Sequence, residues 1–139
     1  MTLSPLFHGA ANYAADGVMQ VGGAVVFPTI KIGFDPKDFC ESVEKWKVNA
    51  CILVGDTMMR PLVECIESIK GKYDLSSLMA VASSGGGVTG HTRGRLTKLL
   101  PQVIITDSAG TTKETWYGAE ISAADLSKEE ENLAAFGKL

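Results

Sequence analysis

The chain has 139 residues, 45% of them hydrophobic and 21% charged, with a formal net charge of −3, the size and make-up of a single globular domain. No apolar stretch approaches the roughly 20 residues that span a bilayer, and Lys and Arg are scattered among acids rather than clustered as in nucleic-acid binders. The start "MTLSPLFHGAAN" lacks a basic segment followed by an apolar block, so the expectation is one cytoplasmic domain over residues 1–139, with no membrane span and no nucleic-acid partner.

In chain order, four short apolar runs read as strands: Ala24 to Phe27 (AVVF), Cys51 to Val54 (CILV), Leu78 to Ala82 (LMAVA) and Val103 to Thr106 (VIIT). Their continuous hydrophobicity is what a parallel sheet covered on both faces requires. Helical patterns lie between them. In FDPKDFCESVEKWKV, Asp35 is placed to cap and Pro36 suits the first helical position, while Phe39, Val43 and Trp46 make one apolar stripe. DTMMRPLVECIESIKG repeats the pattern with Leu62, Cys65, Ile66 and Ile69, and Gly71 supplies its stop. A third helix, Thr89 to Leu100, buries Leu96, Leu99 and Leu100 before Pro101, with Gly90 and Gly94 weakening it. In the tail, Ser127 and Glu130 fit a capping box ahead of Leu133 and Phe136, which predicts a short terminal helix. The spacing is that of successive βαβ units. It predicts an open, three-layer α/β fold with a mainly parallel sheet of about four strands and helices on both faces.

Cys40, Cys51 and Cys65 form no CxxC pair and sit in apolar patterns, so they read as reduced core residues. His8 and His91 lack ligand-type companions and read as loop residues; Met58, Met59 and Met79 read as core filler. In an open α/β sheet the ligand crevice lies beyond the carboxyl ends of the strands, which directs attention to PTIKIG, GDTMMR, SSGGGVTG and DSAGTTKE. Gly85, Gly86 and Gly87 can bring backbone close to a flat ligand, yet a tight βα turn would need glycine anyway. In DSAGTTKE, Gly110 allows close approach, Thr111 and Thr112 offer hydroxyls to phosphate, and Glu114 is a hard-metal ligand type. By itself the stretch also fits a plain polar turn.

Taken together, PLFHGAAN, the FDP helix, VGDTMMRPL, YDLSSL, SSGGG and VIITDSAGTTKET resemble, in order, the large domain of the AMP-forming acyl-CoA synthetases, the adenylating family that includes luciferases; the match covers about residues 3–117. The resemblance implies a fatty-acid or other carboxylic-acid CoA ligase. In such an enzyme a carboxylate attacks the α-phosphate of ATP, giving an acyl-adenylate and pyrophosphate, and coenzyme A sulfur then attacks the acyl carbon. By the same resemblance His8 and Gly9 line the acyl end of the pocket, and Gly85, Gly86 and Gly87 line adenine and acyl chain. Asp107, Ser108, Ala109, Gly110, Thr111 and Thr112 form the nucleotide segment with Thr112 on phosphate, and Glu114 is the candidate metal ligand closest in sequence to the position of the Mg²⁺-linked acid.

Two residues depart from the family pattern: Ala109 replaces an aromatic expected near adenine, and Lys113 stands where the magnesium-linked Glu belongs, with Glu114 one place late. Either a local insertion restores Glu114, or the site no longer handles Mg·ATP in the usual way, because a cation is no oxygen ligand. The family's phosphate loop belongs upstream of PLFHG, and its ribose-binding Asp, hinge and catalytic Lys belong downstream. The expectation is therefore a partial ligase domain, inactive alone, that binds an acyl-adenylate and associates with itself through faces left uncovered. The alternative is a non-catalytic oligomeric binding or assembly module that kept the fold and lost the chemistry.

Overall fold

The computed structural model describes residues 1–29, 33–69, 71–111 and 114–121, with positions 108–111 and 114–121 described by their backbone. In chain order the elements are α1 (Gly9–Gln20), α2 (Pro36–Trp46), β1 (Ala50–Leu53), α3 (Gly55–Ser68), β2 (Ala80–Ser84), α4 (Gly90–Leu99), β3 (Ile104–Thr111) and β4 (Glu114–Ile121). One sheet holds the strands in the order β1-β2-β3-β4. The first three are parallel, with Leu53 beside Ser83 and Ser83 beside Asp107, and β4 returns antiparallel to β3. The three-layer α/β architecture, with helices α3 and α4 as the crossovers, is the one the spacing predicts.

Side-chain alternation divides the sheet. Leu53, Val81 and Ile105 are fully buried, and Phe39 and Val43 of α2, Leu62, Val63 and Ile66 of α3 and Leu96 of α4 complete the same core. Thus α2, α3 and α4 cover one face. Helix α2 begins as predicted: Asp35 Oδ1 accepts the Lys37 N–H at 2.8 Å, Pro36 stands in the first turn, and Lys47 leaves the helix in the left-handed conformation. Cys40 and Cys51 lie in this core, where burial pushes each thiol up to about 12; all three cysteines are free. Thiols so far from ionisation are poor nucleophiles, in keeping with a packing role.

Four expectations require correction. Ala24 to Phe27 is not a strand, because the edge beside β1 is taken by residues 1–3, with Thr2 bridged to Ile52, and the AVVF run is hydrogen-bonded to that edge through Thr2 N–H to Val26 C=O. Trp46 is 58% exposed: as the last residue of α2 it falls outside the core, where Val48 packs instead, and Lys45 lies over its ring. Met79 is also exposed, because Leu78 takes the buried position ahead of β2. Finally, the strand that opens with VIIT does not stop there. β3 continues through Asp107 to Thr111 because Ser108 pairs with Ser84 on one side and Ala119 on the other, and pairing on two sides overrides the weak strand preference of small polar residues. The register slips between Ala109 and Thr111, where Gly110 stands outside the pairing, a usual place for glycine within a strand.

Two elements have no counterpart in the sequence reading, helix α1 and strand β4. The terminal helix expected around Leu133 and Phe136 lies outside the described residues, as do Thr112 and Lys113.

Candidate functional site

The carboxyl ends of β1, β2 and β3 converge on the exposed glycine loop Gly85–Gly87. The end of β2, the first turn of α3 just beyond β1, and β3 each contribute one side chain that fixes it. From the end of β2, the fully buried Ser83 hydroxyl accepts the Gly55 N–H at 3.0 Å and donates to the Gly86 carbonyl at 3.1 Å. Just beyond β1, Asp56 N–H reaches the Gly87 carbonyl at 3.1 Å, and Asp56 Oδ1 accepts the Thr89 N–H at 3.2 Å. From β3, Asp107 Oδ2 accepts the Val88 N–H at 2.9 Å and lies 3.7 Å from the Arg93 guanidinium of α4. The loop is tied at three points to the sheet that positions it.

The electrostatics follow from these bonds. Burial raises the Asp56 carboxyl, but hydrogen bonds from Thr89, Arg60 and Thr92 outweigh it and hold the group below its ordinary value of 3.8. Arg60 is bound to Asp56 at 3.1 Å and Arg93 lies 3.7 Å from Asp107, so these two guanidinium groups are engaged with the loop's supports.

Glycine is demanded at particular places. Gly55 has φ +49, and a Cβ there would lie 2.7 Å from the Gly86 carbonyl carbon, so the two loops touch backbone to backbone. Gly85 has φ +80. At Gly87 a Cβ would meet nothing within 4 Å, so packing alone does not call for glycine there.

The remaining predicted residues can be located. His8 precedes α1 as its N-cap, without a side-chain cap bond, and its imidazole Cε1 would lie 3.8 Å from a Cβ on Gly85. The structure thus brings His8 and the glycine loop together across 77 positions of sequence. Gly9 opens α1, exposed, with the Tyr13 ring over it. From that end α1 runs along the second face of the sheet, where Ala15 and Val18 with Ile52 and Ala82 line an apolar cleft of about 150 Å³. Ser108, Ala109, Gly110 and Thr111 lie on β3 and Glu114 opens β4. Among the described residues no group of three His, Cys, Asp or Glu side chains forms a metal centre.

Sequence reasoning missed Ser83, Asp56 and Arg93. Ser83 shares the inward parity of Val81 on β2, a signal that would have marked it as a buried hydroxyl in need of partners. Asp56 stands three residues past the end of the apolar strand β1. Nothing local distinguishes Arg93.

With this geometry in place, the chain can be set beside known proteins. No family model matches it. The medium-chain acyl-CoA ligase Mig of Mycobacterium avium is 40% identical over 113 residues, which cover 81% of this chain and 20% of that protein. The medium/long-chain-fatty-acid–CoA/3-oxocholest-4-en-26-oate–CoA ligase of Mycolicibacterium smegmatis is 33% identical over 124 residues, covering 87% of this chain and 22% of that one. The crystal structure of a long-chain-fatty-acid-CoA ligase from Archaeoglobus fulgidus shares the fold with a TM-score of 0.70 at 25% identity, over 80% of this chain and 23% of that chain. The chain spans about a fifth of the length of these curated relatives. Sequence and fold together place it among the AMP-forming acyl-CoA synthetases.

Proposed function

We propose that this chain supplies one wall of an acyl-adenylate site, with the adenylate against Gly85–Gly87 and the nucleotide segment Asp107–Thr112, and the acyl group directed from His8 and Gly9 along α1. The observation that carries this reading is the meeting of His8 with the glycine loop at the carboxyl ends of three parallel strands, the position where open α/β sheets bind ligands. Open space over Gly87 suits the close approach of a flat base. The apolar cleft supports an acyl direction: from Gly9 to Val18 the helix advances about 14 Å at 1.5 Å per residue, and the cleft lies along its far end.

Within the family chemistry, ATP supplies the adenylyl group and Mg²⁺ neutralises phosphate charge. In this chain Thr112 would meet phosphate and Glu114 the metal, and coenzyme A would be the acyl acceptor. Asp107 acts differently from a direct ligand group: its carboxylate is occupied by Val88 N–H and Arg93, so it shapes the loop. Adenylation depends on fixed positive charge around the transferring group, whereas Arg60 and Arg93 are already paired with loop supports. The chain by itself therefore binds an acyl-adenylate and does not turn over. Its three free thiols suit a reducing, cytoplasmic setting, and among the described residues no helix is long and apolar enough to cross a membrane.

A second reading, an oligomeric binding or assembly module, is favoured by one observation. Phe7, Tyr13, Met19 and Val21, on and around α1, are 92%, 79%, 58% and 84% exposed, a concentration of apolar surface of the kind that marks association. Self-association through this face predicts a sedimentation coefficient that rises with concentration; a monomer at high concentration contradicts it.

The site itself is tested by calorimetric titration with octanoyl-sulfamoyl adenosine, a non-hydrolysable acyl-adenylate analogue, against the chain and its Thr112→Ala variant. Saturable binding weakened by the substitution is expected. A folded sample that takes up no heat overturns the reading.

A further inference from the structure

We propose that Ser83 is a positioning residue that orients the glycine loop so that the Gly87 N–H faces the ligand; the identity of that ligand rests on the acyl-adenylate reading, whereas the loop orientation does not. Ser83 is wholly buried, with Oγ accepting from Gly55 N–H at 3.0 Å and donating to Gly86 C=O at 3.1 Å.

Fixing the Gly86 carbonyl fixes more than one atom. The Gly86–Gly87 peptide is planar and trans, so its C=O and N–H point in opposite directions. With the carbonyl held inward on Ser83, the Gly87 N–H is turned outward. The next peptide is held as well, its carbonyl on Asp56 N–H and its amide on Asp107. Among the described residues, the Gly87 N–H has no acceptor, and the residue is exposed. An exposed amide held in one direction is a donor for a ring nitrogen or an oxygen of a bound molecule, and holding it beforehand spares the ordering cost on binding.

Glycine makes the arrangement work and also makes it fragile. Three consecutive glycines have the widest backbone freedom of any sequence, so without a clamp the Gly86–Gly87 peptide can turn over. The contact between Gly55 and Gly86 limits this from outside, since a Cβ on Gly55 would overlap the Gly86 backbone at 2.7–3.0 Å. Ser83 joins the same two residues from within.

The test combines amide spectroscopy with binding on the full chain. In Ser83→Ala the Gly86 and Gly87 amide resonances should shift and exchange with solvent faster, while the amides of Leu53 and Val81 stay protected. Affinity for octanoyl-sulfamoyl adenosine should fall roughly three- to tenfold, the loss of about one buried hydrogen bond. Ser83→Cys, similar in volume but a weaker donor, should fall between, and it decides the matter should Ser83→Ala fail to fold. Unmoved loop amides overturn the proposal. So does unchanged affinity in a variant that is merely less stable, which would make Ser83 structural only. If the unsubstituted chain binds no analogue, the acyl-adenylate reading falls, and the loop amides still report whether Ser83 sets their orientation.

Discussion

The two faces of the sheet contrast sharply. Against α2, α3 and α4 the strands present Leu53, Val81 and Ile105, each with no exposed surface. On the other face Ile52, Ala82 and Ile104 are half-buried, with α1 lying over the β1 side and a cleft left between. Yet CILV, LMAVA and VIIT are as apolar on one parity as on the other. The residue types specify a sheet to be covered twice, and the described residues cover it fully once. The difference sets the fully packed core on one face, and leaves the second face, with its cleft, and the strand ends as the places where the proposed ligand would bind.

The sharpest way to break this contrast is to truncate neighbouring residues on opposite faces. Leu53→Ala should cost about 2–5 kcal/mol, as fully buried Leu positions do, whereas Ile52→Ala should cost about 1 kcal/mol because its site is already partly open. Denaturant titration of both measures it, and equal costs would mean that the second face is as well packed as the first. At the strand ends, Gly55→Ala should destabilise by about 1–3 kcal/mol, since the new Cβ overlaps Gly86 and φ is positive. Gly87→Ala should stay within about 0.5 kcal/mol in stability while weakening the acyl-adenylate analogue, because its Cβ projects into open space. A stability loss at Gly87 as large as that at Gly55 would remove the distinction between a glycine the fold needs and one the ligand needs.

A smaller effect is expected with pH. Asp56 has a folded value below its ordinary 3.8, so its contribution is complete above that value and is lost as pH falls through the folded value. Acid titration followed through the Thr89 amide should show this, and Asp56→Asn should remove that part of the acid sensitivity. The smallest effect on stability belongs to Phe7→Ser. At 92% exposure it should change stability by less than about 0.5 kcal/mol and act on self-association, read by sedimentation.

What was legible in the sequence tracks how local the determining physics is. Helix α2 announces itself through Asp35, Pro36 and the stripe of Phe39 and Val43, all within one element. The three parallel strands are legible as apolar runs at βαβ spacing. Helix α1 was not, because GAANYAADGVMQ has only Ala11 and Ala15 buried and glycines at both ends of its pattern, leaving little apolar periodicity. AVVF has strand composition, but the place beside β1 is decided by residues 1–3, far away in sequence. The extension of β3 through DSAGT and its pairing with β4 depend on neighbours on both sides, which no local pattern encodes. At the site, the glycine loop was visible as a string of glycines and His8 through family resemblance. The clamp was not, because Ser83 on β2, Asp56 in the first turn of α3 and Asp107 on β3 come together only in the folded molecule.

In the proposed arrangement ligand binding belongs to the strand ends and the α1 side, with the packed face serving only as support. Hydrogen exchange of the full chain with and without octanoyl-sulfamoyl adenosine tests it most directly. Added protection at Gly85–Gly87 and along α1 from Gly9 to Val18, with the amides of α2 unchanged, is the predicted result. Protection that is absent from the glycine loop, or that spreads evenly over both faces of the sheet, would contradict it.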